Sequence, residues 1–584
     1  MNGQVAMKRG LSSLIFNFTA IALASVLFAA SFPNLVFTNG LPILAWVAYV
    51  PVFFIVRRVS FGASFFWGAL YGYAAYGLFN YWLSVFHPLA GLIVGSIYLV
   101  YLALLFPLLR LAIVVFPKRG YLLQWIFWMA FEYSRTLGFL GYSYGITGYS
   151  QWNVLPVIQI ADLAGVWGVS ALVVFPSAWL ASALVPSVNP EIHHAKTSRL
   201  QGMMEKAQLS DSAPFFESLR LCVSLNIKAV FRREWASALV WFVLLLATLI
   251  YGFVSPVDYT GARFVKTALI QHNTDPWQPS KAPTPSLAFD EYRKDFRILR
   301  RLSDEAMAAH PDLDLVVWSE TAFVPRIYWH TYVRDDPVSW ELVQELLDYL
   351  AKQDIPFVIG NDDARKDPAI NPWSDNRVDY NAVMLFDRGE LMALYRKLHL
   401  VPFTEHFPYE KQLPWIYDAL RAADTHFWEK GKEATVFDSR GIKFSTPICF
   451  EDTFGYLSRD FVRNGAEIIV NLSNDAWSAS LPAQMQHLSM AVFRAVENRR
   501  SMVRSTASGQ TCGIDPNGKI LVMAPPFTES WLFAELPLVA PETLYTRHGD
   551  YLGKAFAALA VFMLILCIFS YIMSLVGHRL KTPF

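Results

Sequence analysis

Over the first 255 residues, long apolar runs alternate with short basic loops. A helix needs about 20 apolar residues to cross a bilayer. Runs of that order lie at 11–30, 41–56, 61–83, 89–116, 121–139, 155–184 and 236–254, which predicts seven spans. Lys8 and Arg9 precede the first run, Arg57 and Arg58 follow the second, and Lys118 and Arg119 follow the fourth. The segment 185–235, after the sixth, carries Lys196, Arg199, Lys206, Arg220, Lys228, Arg232 and Arg233, whereas 31–40 and 84–88 hold neither Lys nor Arg. Basic residues gather in cytoplasmic loops. The N-terminus is therefore expected inside, and the chain after residue 254 emerges outside. The length of the first run and the spans after it predict a retained anchor rather than a cleaved leader. Glu132, Gln159 and Asp162 interrupt the apolar pattern. Such residues face a bundle interior or a cavity; a functional groove and simple interhelical hydrogen bonding fit them equally.

From residue 260 the pattern shortens. Strand-like runs fall at 264–271, 313–318, 357–359, 383–386, 391–395, 434–437, 443–448, 467–472, 502–505 and 519–523. Helix-like runs fall at 289–309, 340–352, 456–463 and 483–499, and Asp515-Pro516-Asn517-Gly518 is a turn signal. Alternating strands and helices predict a layered α/β domain. A last apolar run, 551–576, precedes His578, Arg579 and Lys581 and predicts a final span with the C-terminus inside. The expected organisation is a membrane domain over 1–255 with a cytoplasmic loop near 185–235, an extracytoplasmic domain over 260–540, and a C-terminal span over 551–576.

Composition supports this division. Hydrophobic residues make up 54% of the 584 residues and charged residues 17%, the balance of a membrane protein. A net charge of +1 gives no basic footprint for nucleic acid. The four cysteines, Cys222, Cys449, Cys512 and Cys567, form no CxxC and no metal-ligand spacing, so neither a disulfide framework nor a metal site is expected.

Three residues end strand-like runs and carry complementary chemistry. Cys449, in Pro447-Ile448-Cys449-Phe450-Glu451-Asp452, is a potential nucleophile. Glu320, in Val317-Trp318-Ser319-Glu320, can take its proton, and Lys397, in Tyr395-Arg396-Lys397-Leu398, can steady a thiolate or a developing oxyanion. Each also fits a plainer role: a buried cysteine that packs as a small hydrophobe, a salt-bridging carboxylate, a solvated lysine.

Four further stretches stand out: Lys397-Leu398-His399-Leu400-Val401-Pro402-Phe403-Thr404-Glu405, Asn471-Leu472-Ser473-Asn474-Asp475-Ala476-Trp477, Arg504-Ser505-Thr506, and, in the membrane half, Gln159 to Ser170. With the three residues above they resemble motifs of the carbon–nitrogen hydrolase (nitrilase) superfamily, and the chain as a whole resembles the apolipoprotein N-acyltransferase family. The resemblance implies a multi-pass α-helical membrane domain joined to an α/β nitrilase-like αββα sandwich. It implies Glu320 as general base, Lys397 as oxyanion stabiliser and Cys449 as nucleophile. Glu405 and Glu451 match supporting carboxylates, and Asn381, Trp477 and Trp277 match positions of substrate handling. The implied reaction moves an acyl chain from a membrane phospholipid, through a thioester on Cys449, to the N-terminal amine of a diacylated apolipoprotein in the bacterial inner membrane. No cofactor or metal is implied, and the enzyme is expected to act as a monomer. A membrane-tethered amidase and a non-catalytic lipoprotein-binding protein are the alternatives. Phe450 stands where the family often has tyrosine, Ser319 replaces a common proline, and 185–235 exceeds the usual loop length.

Overall fold

The structure is a computed structural model that describes residues 2–86, 90–184, 215–275, 285–333, 336–369, 376–422 and 425–579. Its N-terminal half is helical: α1 (Asn2–Ser31), α2 (Phe61–Phe79), α3 (Ala90–Val115), α4 (Gly120–Ser134), α5 (Ala161–Leu184) and α6 (Phe215–Val254). With the C-terminal helix, five helices among the described residues are long and apolar enough to cross a membrane: Leu11–Ser31, Ala90–Val115, Ala161–Leu184, Glu234–Val254 and Tyr551–Ser570. The apolar run 41–56 does not form one helix. It makes two short ones, Pro42–Ala45 and Val50–Arg58, each with a proline in its first turn. Proline starts a helix readily and cannot continue one, so Pro51 separates the two. The run 121–139 gives the 15-residue α4. The chain beyond it is held by Arg135, whose Nη1 donates to the carbonyls of Tyr142 at 3.0 Å and Tyr144 at 2.9 Å.

The second half is two six-stranded sheets. The first contains β1 (Arg263–Gln271), β2 (Leu315–Val317), β3 (Phe357–Lys366), β4 (Arg377–Asp387) and β5 (Glu390–Arg396). The second contains β6 (Val436–Ser439), β7 (Ile442–Ser445), β8 (Ile468–Ser473), β9 (Ser501–Thr506), β10 (Cys512–Ile514) and β11 (Ile520–Met523). The last strand, β12 (Ser530–Leu538), returns to the first sheet and lies antiparallel on β1. The orders are β12-β1-β2-β3-β4-β5 and β11-β10-β9-β8-β7-β6, and the central strands of each sheet are parallel. Successive strand residues point to opposite faces. On β1, Val265 and Leu269 enter the core between the sheets, while Ala268 and Ile270 pack outward against α7 (Pro285–Ala309) and α8 (Pro337–Ala351). The second sheet is covered by α9 (Gly455–Arg463) and α10 (Leu481–Asn498). Burial of alternate faces on both sheets is what gives an αββα sandwich its layers.

The two halves meet along α10. Trp82 Nε1 donates to Gln486 at 3.0 Å, Arg494 donates to the Tyr149 hydroxyl at 2.9 Å, and the Val166 amide donates to Glu497 at 3.1 Å. Just past the helix, Arg499 donates to Asp162 at 2.6 Å and to Gln159 at 2.6 Å. Two of the polar residues in the apolar half thus serve the joint between halves. The third, Glu132, is bound within the bundle by Thr147 and by Trp128 Nε1.

Candidate active site

Glu320, Lys397 and Cys449 each lie at or just past the end of a strand. Glu320 follows β2, Lys397 follows β5 directly, and Cys449 follows β7 and opens a 3₁₀ turn, Cys449–Thr453. Cys449 has φ +48°, and so does Thr321 beside Glu320. Left-handed backbone at non-glycine residues costs of order 1–3 kcal/mol and persists where surrounding structure imposes it. At Glu320 part of that surrounding is Gly360 of β3. A Cβ there would stand 2.4 Å from the Ser319 carbonyl oxygen and 2.7 Å from the Glu320 Cα, so only glycine lets the strand approach the segment.

The structure brings the three residues together with most of their predicted supports. Lys397 is wholly buried, and its Nζ lies 2.8 Å from Glu405 Oε1 and 3.3 Å from Glu320 Oε1. Glu320 is further fixed by Asn381 Nδ2, which donates to Oε1 at 2.8 Å, and by the Asn474 amide, which donates to Oε2 at 2.9 Å. Asn381 therefore touches the candidate base. Glu405 Oε2 accepts the Val401 amide at 2.9 Å, closing the loop that follows the lysine. Glu451 is a hub beneath the nucleophile. It accepts the amides of Ile448, Leu398 and His399 at 2.8, 2.7 and 2.9 Å and the Tyr395 hydroxyl at 2.8 Å. It thereby ties the lysine's strand end to the turn of Cys449. Trp477 belongs to the turn Ala476–Ser478, but its side chain, like the whole of Trp277, lies outside the described residues. Phe450 is buried, with its ring 5.0 Å from that of Phe454 and 5.8 Å from that of His399.

The electrostatics set the resting state. Burial pushes the Cys449 thiol well up, Glu320 adds to the rise, and Lys397 opposes it. The resting group is therefore a neutral thiol that needs a base to become a nucleophile. Burial disfavours the Lys397 ammonium, but Glu405 and Glu320 outweigh it and move its pKa above the usual lysine value. Burial raises the Glu405 carboxyl against the pull of Lys397. Burial also raises Glu451, to about 7, against the amides that donate to it.

The loop after Lys397 meets the membrane half. Phe139 packs edge-on against Phe403, Phe407 and Tyr409, with ring centres 5.2, 6.2 and 5.4 Å apart. Asp452 and His487, which sequence reasoning did not single out, also converge on the site. So do Asp475 and Arg504, which lie in the quoted motifs without an assigned part. Nothing in their spacing signals that they meet.

Residues 266–543 match the carbon–nitrogen hydrolase family, and residues 24–179 match the apolipoprotein N-acyltransferase N-terminal domain. The chain is 41% identical over 560 residues to apolipoprotein N-acyltransferase 1 of Treponema denticola, covering 94% of this chain and 95% of the relative. The chain belongs to the apolipoprotein N-acyltransferase family. It is 44% identical over 567 residues to apolipoprotein N-acyltransferase 1 of Treponema pallidum, covering 95% of this chain and 96% of the relative. It is 32% identical over 552 residues to the apolipoprotein N-acyltransferase of Geobacter metallireducens, covering 92% of each. As a member of that family it is an enzyme of the N-acyltransferase type, with a nitrilase-fold sandwich attached to apolar helices.

Proposed function

We propose that this enzyme transfers an acyl chain from a membrane phospholipid to the N-terminal amine of a diacylated apolipoprotein, with Cys449 as nucleophile, Glu320 as base and Lys397 as oxyanion partner. The observation that carries the reading is the buried Lys397 ammonium, 3.3 Å from Glu320 and close enough to the Cys449 thiol for the two to shift each other's ionisation. Glu320 takes the thiol proton as sulfur attacks the ester carbonyl. Lys397 stabilises the oxyanion. The carbon–oxygen bond then breaks, and Glu320 returns the proton to the departing oxygen of the lysophospholipid. In the second half the lipoprotein amine attacks the thioester. Glu320 accepts the N–H proton and delivers it to the leaving sulfur, so the amide forms and the enzyme is regenerated. The aromatic contact of Phe139 with Phe403, Phe407 and Tyr409 supports exclusion of water from the thioester.

The basic loops support a bacterial inner-membrane enzyme with both termini cytoplasmic and the sandwich outside. Glu320, Lys397 and Cys449 come from one chain, which supports action as a monomer. The test is incubation of the purified protein with labelled phospholipid and a diacylated lipopeptide. Labelled triacyl lipopeptide is expected from the wild type and none from Cys449→Ala. Release of free fatty acid at the same rate with and without the lipopeptide would overturn the transferase reading in favour of a hydrolase.

A further inference from the structure

Four charged side chains are buried together behind Cys449, each from a different element. Asp452 lies on the nucleophile's own turn, and Asp475 adjoins Asn474, whose amide holds Glu320. His487 lies on α10 and Arg504 on β9. None is more than 3% exposed. His487 Nε2 stands 2.7 Å from Asp452 Oδ1, and Nδ1 stands 3.2 Å from Asp475 Oδ1. Arg504 pairs with Asp452 through Nη1 and has Nη2 3.6 Å from Asp475 Oδ2. The Ser473 hydroxyl donates to Asp475 Oδ1 at 3.0 Å and also stands beside the Cys449 thiol.

Two carboxylates and two cations balance only while the imidazole is protonated. An unbalanced charge is costly at such depth. Nε2 faces Asp452 alone, whereas Nδ1 faces both Asp475 Oδ1 and, at 3.3 Å, Arg504 Nη2. An imidazolium is the form that donates to both carboxylates, with the guanidinium opposing it. The other titratable groups facing the cluster are Tyr144 from the membrane half, with its ring centre 6.3 Å from that of His487, and Cys512 beside Arg504. Glu320 and Lys397 act on the thiol as well. Burial and the neighbouring Arg504 guanidinium lower the His487 pKa, but Asp452 and Asp475 outweigh them and bring it to about 9. The preceding residue, Gln486, is bonded to Trp82 and to the Pro33 carbonyl of the membrane half. The helix that carries His487 is therefore anchored at that turn.

We propose that His487, as an imidazolium, is a positioning residue that locks the nucleophile's turn to the loop holding the base and balances the negative charge behind the thiol. The proposal rests on the assignment of Cys449 as nucleophile and Glu320 as base. It adds a residue on α10, next to a membrane-domain anchor, to the groups that govern the ionisation of that thiol.

The test follows iodoacetamide alkylation of Cys449, read on its peptide by mass spectrometry from about pH 6 to about pH 10, which brackets the imidazole and thiol ranges. No acyl donor is involved, so the result stands apart from the phospholipid assay. Loss of acyl transfer with the expected alkylation shifts would defeat the functional reading alone. H487Q leaves a net negative cluster and should move the alkylation profile to higher pH by about one unit, about tenfold slower near neutrality. D475N leaves a net positive cluster and should move it to lower pH. The double variant should return close to the wild-type profile. With phospholipid and lipopeptide, H487Q should lower kcat and leave both KM values unchanged. Shifts of the same sign in both single variants, or a wild-type profile in folded H487Q, would overturn the proposal. If H487Q does not fold, D475N alone decides: an acid shift supports the proposal and any other result overturns it.

Discussion

Lys397 Nζ and Glu405 Oε1 lie 2.8 Å apart, with the lysine shut off from solvent and the glutamate side chain 13% exposed. Because Glu320 is also within 3.3 Å of the same nitrogen, one ammonium serves two carboxylates. Glu405→Gln removes one of them and leaves Glu320 to hold Lys397 alone. The base is then paired more firmly with the ammonium and less free to take the thiol proton. Thioester formation should fall at least about tenfold, part of the roughly 100-fold that a general base contributes at its low end, with the protein still folded. Lys397→Ala removes the cation from two buried carboxylates and should cost about 3–5 kcal/mol of stability as well as all acyl transfer. Thermal unfolding in detergent and a single-turnover acylation assay separate the two effects.

Gly360 sets the position of the base. A methyl group there would meet the Ser319 carbonyl at 2.4 Å and the Glu320 Cα at 2.7 Å. Gly360→Ala should push Glu320 away from Lys397 and Asn381. Misplacement of a reacting group by about 1 Å costs on the order of 100-fold in rate. The expected result is a loss of that size in kcat with both KM values nearly unchanged.

The joint between the halves can be tested at Arg499, which donates to Asp162, to Gln159 and, at 3.1 Å, to Asn517. Arg499→Ala leaves the Asp162 carboxylate without its cation, though still held by the Tyr251 hydroxyl at 2.9 Å, and should destabilise the protein by about 3 kcal/mol. Arg499→Ala with Asp162→Ala should lose clearly less than the sum of the two single variants. A double-mutant cycle on unfolding midpoints measures that coupling.

Stability should also depend on pH through His487. Its folded pKa, about 9, lies above the ordinary histidine value of 6.5. A raised histidine contributes stability that is fully present below the unfolded pKa and is lost as pH rises through the folded one. The wild type should therefore lose about 3 kcal/mol between about pH 6.5 and about pH 9.5 from this group. That slope should be absent from H487Q, as read by unfolding at fixed ionic strength.

The central strands of the sandwich were legible because each is a short apolar run between turn residues. The strands at 468–473 and 501–506 fall within a residue of the apolar runs that predict them. β12 was not, because Ser530–Leu538 is mostly half-buried and holds Pro537, so its apolar alternation is blurred. β10 is three residues long and gives no period to read. Glu320, Lys397 and Cys449 stood out through strand-end positions and motifs. Asp452, Asp475, His487 and Arg504 did not, since their charges cancel across four separate segments. α10 was legible as a helix but not in what it packs against: its polar residues Gln486, His487, Arg494 and Glu497 are buried by the membrane half and the nucleophile's turn.

The account turns on whether Cys449 carries the acyl group. Intact-protein mass spectrometry after exposure to a phospholipid of defined chain length should show a mass increase of one acyl chain. The adduct should map to the Cys449 peptide, and addition of a diacylated lipopeptide should discharge it into triacyl product. An adduct that maps to another residue, or triacyl product formed by Cys449→Ala, would contradict the account.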